Sequence, residues 1–154
     1  MTPQPRILWA ARWSGLAVAC LAACGGGEPP AERLDFTDVE VHAFSGVSAA
    51  RQAAVTNDAA WAALWSEHTA NVSPAPPRPG VDFATQSVAA VFLGQGAGCE
   101  RPVIHSVARL GHDEVQVTWR SVAPAGPCPA VVTTPVHMVR FANAAQLPVS
   151  FRRS

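Results

Sequence analysis

Six consecutive apolar residues, Val88-Ala89-Ala90-Val91-Phe92-Leu93, stand between the polar pair Gln86-Ser87 and Gly94. A run this short, bounded by polar and turn residues and without a polar face to turn to water, predicts a strand buried on both faces and central in its sheet. The clearest alternation lies downstream. Val103 to Leu110 and Glu114 to Val122 flank Gly111-His112-Asp113, a connection of hairpin length. In the second arm Val115, Val117 and Trp119 face the core, opposite Glu114, Gln116, Thr118 and Arg120.

From Phe36 the chain predicts another half-buried strand, with Val39, Val41 and Ala43 on one face and Asp38, Glu40 and His42 on the other. Ser45-Gly46 ends it. Gln52 to Val55, Val131 to Phe141 and Pro148 to Phe151 supply further strands, the last two joined through Asn143 to Gln146.

Thr56-Asn57-Asp58 offers capping oxygens directly before Ala59 to His68, and Asp58 sits near the positive end of the helix dipole. Trp61, Leu64, Trp65 and His68 recur at helical spacing, so one face carries two indoles that must dock on the sheet. His68 reads as a helix-end residue beside the last carbonyls, with a ligand role as the alternative. Asn71 to Gly80, with four prolines, ends the helix in an irregular loop. Val81-Asp82-Phe83 leads from it to the apolar strand. The pieces predict an α+β domain: a mostly antiparallel β-sheet of about six strands with one amphipathic helix packed on it.

The N-terminal residues read as an address. Arg6 and Arg12 precede an apolar run from Trp13 to Ala23, too short to span a bilayer, which needs about 20 apolar residues. Leu21-Ala22-Ala23-Cys24-Gly25 resembles the bacterial lipoprotein consensus, which implies cleavage before Cys24, acylation of its thiol and a membrane anchor. Cys20 is a weaker candidate, because a large apolar residue is missing three places before it. Gly25 resembles an outer-membrane sorting signal. Residues 1–23 are thus expected as a signal peptide, 24–34 as a flexible Gly-Pro spacer, and 35–154 as a single domain.

Without the leader, nine arginines face eleven acids, a net charge of −2. This leaves no basic field for nucleic acid. Cys99 and Cys128 remain as an even pair, expected to form a disulfide in an oxidising compartment, with a redox-active pair or half a metal site as alternatives.

No catalytic or metal-binding spacing appears. There is no G-x-S-x-G elbow, and Glu67-His68 has no second histidine one turn on. Gly94-Gln95-Gly96-Ala97-Gly98 follows a strand, but Cys99-Glu100-Arg101-Pro102 comes next where a phosphate cradle needs a helix N-terminus. His105 and His112 flank the hairpin without ligand spacing. No cofactor or metal is expected.

Trp61-Ala62-Ala63-Leu64-Trp65 with His68, Val81-Asp82-Phe83, Val91-Phe92-Leu93-Gly94 and Thr134-Pro135-Val136-His137-Met138-Val139 together resemble the C-terminal domain of PrcB-type protease complex subunits. The likeness runs from about Trp61 to Phe151. It implies a lipoprotein that associates with and stabilises a cell-surface protease. Many relatives follow the glycine loop with Gly-Tyr, where this chain has Gly98-Cys99-Glu100 and no tyrosine at all.

The expected function is therefore that of a non-catalytic envelope lipoprotein binding another envelope protein, such as a protease, through Gly94, Gln95, Gly96, Gly98 and their neighbours. A small-ligand binder with a pocket between helix and sheet, and a hydrolase with spatially assembled acids, are the competing expectations.

Overall fold

The structure, a computed structural model, describes residues 31–154 apart from Pro129. The expected leader, Cys24 and the spacer as far as Pro30 lie outside the described residues. In chain order the elements are β1 (Ala31–Leu34), β2 (Phe36–His42), β3 (Arg51–Val55), α1 (Asp58–His68), β4 (Gln86–Phe92), β5 (Gly96–Ala97), β6 (Arg101–Leu110), β7 (Glu114–Val122), β8 (Val132–Thr133), β9 (Val136–Ala142) and β10 (Val149–Arg153).

They form an α+β fold of three layers. The central sheet has the order β2-β9-β4-β3, every pair antiparallel. The outer sheet has the order β1-β6-β7-β10, antiparallel except for the parallel pair of β10 with β7. β4 is central and buried on both faces, as its unbroken apolar run requires. Val88, Ala90 and Phe92 meet Trp61, Leu64 and Trp65 of α1 on one side, while Ala89 and Val91 meet Ile104, Val107, Val115 and Val117 of the outer sheet on the other.

The expectation of one sheet of about six strands is corrected on this point. A strand apolar on both faces needs a cover on each, and a single helix supplies only one. The β6–β7 hairpin, apolar on one face only, cannot lie inside the central sheet and forms the second cover with β1 and β10.

β1 also revises the expected spacer. Residues 31–34 pair with Leu110 to Val107, Leu34 packs against the inter-sheet core, and Glu32 pairs with Arg109. Residues 31–34 thus belong to the folded domain and not to a spacer.

The helix begins where its cap signals place it. Asn57 is extended, and its side-chain oxygen accepts the Ala60 N–H at 2.8 Å. Trp61 is fully buried against the central sheet. Its indole N–H donates to the Pro79 carbonyl at 2.9 Å, and that of Trp65 to the Pro76 carbonyl at 3.2 Å. The proline loop thus serves as a lid of carbonyl acceptors for two indoles that would otherwise bury unpaired donors.

Trp61→Ala is expected to lower the unfolding free energy by about 3–5 kcal/mol. Val72→Ala, at a side chain 47% exposed, should stay within about 0.5 kcal/mol. Urea unfolding of the two variants checks this; equal losses would contradict a core built on the indole.

Candidate functional site

The site is set by an irregularity in β2. The register against β9 shifts between Asp38 and Glu40. Such a bulge carries successive residues to the same face and inverts the alternation beyond it. The expected grouping of Asp38, Glu40 and His42 on one face is therefore wrong. Asp38 turns toward the outer sheet, where it pairs with His137 Nε2 at 3.0 Å. Glu40 turns toward α1, 3.9 Å from His68 Nε2.

Both histidines are buried and bonded through the other ring nitrogen as well. His137 Nδ1 accepts the Ile104 N–H of β6 at 2.9 Å, which fixes the proton on Nε2 facing Asp38. His137 thus ties β2, β9 and β6 together.

His68 Nδ1 lies 3.0 Å from Ser45 Oγ, which itself accepts the Val47 N–H. The other ring nitrogen, Nε2, faces Glu40. The order of groups resembles an activated serine, but Ser45 is only 3% exposed and a nucleophile must be reachable. The arrangement is a clamp closing the end of α1, reinforced by the Gly46 N–H donating to the His68 carbonyl at 2.7 Å. Burial pushes the His68 pKa down, against the attraction of Glu40 and with the repulsion of His42. His68 thus stands at the helix end as expected, and its burial there favours the neutral ring.

Past the bulge, Val41 and Phe44 form one wall of an apolar cleft of about 470 Å³. His42 and Ala43 lie between them, Cys99, Glu100 and Arg101 also border the cleft, and Pro124, Pro127, Val131, Thr133 and Pro135 complete the lining. Val41, Phe44, Val131 and Val132 are 45–56% exposed, four of the five large apolar side chains exposed to this degree among the described residues. Val41, Phe44 and Val131 line the cleft itself, and Val132 follows Val131 in the chain.

The glycine loop is stitched to this end. β5 pairs with β8, and the Thr133 hydroxyl donates to the Gly98 carbonyl at 2.8 Å. Cys99 and Cys128 are joined as a disulfide, their Cα atoms 5.6 Å apart.

The four expected contact residues separate by role. Gly94 is buried with φ of +75°, and a Cβ there would fall 2.5 Å from the Ala50 nitrogen, so its glycine serves the backbone. Gln95 and Gly96 are exposed, Gly98 is half-buried, and a Cβ on Gly96 or Gly98 would meet nothing within 4 Å. Gly94, Gly96 and Gly98 line a second, shallower cleft of about 290 Å³ that shares Glu100, Thr133 and Pro135 with the first.

Other expectations are not assembled. His105 bonds Ser154 Oγ near the C-terminus, and His112 sits in the hairpin turn. No group of three His, Cys, Asp or Glu side chains among the described residues is placed to hold a metal ion. The helix–sheet interface proposed for a small ligand is filled by Trp61 and Trp65. Cys24 lies outside the described residues.

Sequence reasoning missed the apolar cleft and both histidine ties. The bulge has no local signature, although the lone Phe44 just past the strand end was a usable signal.

Gly94→Ala should destabilise the domain by more than about 1 kcal/mol, and Gly96→Ala by less than about 0.5 kcal/mol; thermal denaturation separates them. For His68, a folded pKa below the unfolded value of about 6.5 means that the unfolded chain takes up the proton first. Its contribution is fully present above that pH and is lost as pH falls through it toward the lower folded value. Urea unfolding at pH 7.5 and 5.5 should show a smaller loss in His68→Gln than in the wild type.

No family model, curated protein or solved structure matches the chain.

Proposed function

We propose that the protein is an exported, non-catalytic lipoprotein, anchored through Cys24 in the cell envelope at the outer membrane, and that it binds another envelope protein, such as a protease. The observation that carries the binding role is the cluster of Val41, Phe44, Val131 and Val132 around the apolar cleft. Leaving these side chains in water is unfavourable by about 25 cal/mol for every Å² of apolar surface, a cost that a partner covering them removes.

Three further features support this reading. The Leu21-Ala22-Ala23-Cys24 motif gives the anchor. The Cys99–Cys128 bond suits an oxidising compartment. The likeness of Trp61 to Phe151 to PrcB-type subunits suggests association with a protease.

A second reading has one observation of its own. A cleft of about 470 Å³ falls within the roughly 300–1,000 Å³ typical of small-molecule sites. A small ligand would occupy the cleft without covering Val132 at its rim, whereas a protein partner would cover both.

Mass spectrometry of the processed N-terminus should find acyl chains on Cys24, and Cys24→Ser should release the protein from membranes. Crosslinked pulldown from envelopes of the native host should recover a protein that Phe44→Asp with Val131→Asp no longer retains, at unchanged thermal stability. Equal recovery by wild type and the double variant removes the cleft from the interaction.

A further inference from the structure

Resting on the lipid-anchored reading above, we infer that the cleft is a membrane-distal docking site for an extended apolar segment of a second protein, which reaches it from the side away from the anchoring bilayer. The two poles of the outer sheet carry this. Ala31 pairs with Leu110 at one end of β6, while Arg101 at the other end of β6 borders the cleft. β6 has ten residues and so spans about 30 Å.

The chain from Cys24 to Ala31 bridges at most about 25 Å, even stretched to its limit. If the cleft were pressed to the bilayer, Ala31 would stand about 30 Å above it, beyond the reach of the tether. The short tether thus keeps the Ala31 pole nearer the bilayer than the cleft, and the cleft cannot be turned down onto its own membrane.

The cleft also favours a peptide over an acyl chain. β2 is the terminal strand of its sheet, and its end at Val41 walls the cleft, so an unpaired backbone edge runs beside the apolar surface. The neighbouring edge of β6 is closed, because Pro102 has no N–H and the Ile104 N–H is taken by His137. An extended segment laid along β2 bonds its free N–H and C=O groups and turns alternate side chains into the cleft. An acyl chain fills only the apolar wall and leaves those groups unmatched.

The test uses the full lipidated protein in phosphatidylcholine vesicles carrying a headgroup nitroxide, with a dye on His112→Cys or Ala125→Cys, the disulfide kept oxidised. The dye at His112, near the anchored pole, should be quenched several-fold more strongly than that at Ala125 beside the cleft. Protein that does not float with the vesicles overturns the anchored reading and this inference with it. Protein that floats but is quenched equally at both sites overturns the inference alone.

A photo-crosslinking residue at Phe44, in native-host envelopes, then identifies the occupant. An adduct mapping to an alternating apolar segment of another polypeptide, and lost on Val131→Asp, supports the proposal. An adduct to a phospholipid chain, an adduct to a second copy of this protein, or no adduct overturns it.

Discussion

The structure depends on β4 and β9 having no face to give to water. Val88 to Phe92 in one strand and Val136, Met138, Val139 and Phe141 in the other are all 2% exposed or less. Each face of this pair must therefore be covered, and the covers differ because their sequences do. The helix brings two indoles on a single face, and the hairpin brings the valine and tryptophan face of β7. Burial of whole side chains at about 1.5–3 kcal/mol each makes the doubly covered sheet the main source of stability, and the peripheral loops are held by what they attach to it.

Polar groups inside such a sandwich are tolerated only when bonded, and here they are placed at its seams. His137 closes the gap where β1 ends and β2 leaves for the other sheet, since it holds Asp38 on one side and the Ile104 N–H on the other. Asn143 closes the opposite end, with its amide nitrogen bonding Ser87 Oγ and the Leu147 carbonyl and its side-chain oxygen accepting the Leu147 N–H. No buried side-chain nitrogen or oxygen among the described residues lacks a partner. The β2 bulge belongs to the same logic. It sends one carboxylate to each histidine, a division that a regular strand with Asp38 and Glu40 on one face does not allow.

What was legible in the sequence follows from range. β4, the hairpin, the helix and its Asn57 cap are written in neighbouring residues, and each was readable from apolar spacing or a capping side chain. β1 was not, because Ala31-Glu32-Arg33-Leu34 carries one apolar anchor and follows a proline-rich spacer. The parallel entry of β10 was not, because it depends on where the Asn143 turn delivers the chain. The alternation of β2 was misread because a bulge is a property of pairing with β9 and leaves no mark on β2 alone. The cleft was least legible of all: its walls come from residues 41–44, 99–101 and 124–135, and only the fold brings these together.

The same argument explains why this end of the molecule carries a disulfide. The ribbon of β5 and β8 has two residues in each strand, far below what holds together unaided in water. Residues 123–128 and 130–131 belong to no helix or strand, so the wall they form draws little from the central sheet. Closing a loop with a sequence separation of 29 residues stabilises by roughly 3–4 kcal/mol in the chain-entropy account. It does so at an end of the molecule to which neither core cluster extends. The covalent tie joins the Cys99 border of the cleft to the segment that carries Pro124 and Pro127, so neither depends on the short ribbon alone. Lining segments tied in this way have fewer conformations open to them than an untied loop of the same length, which is the ordering that pre-organises a surface.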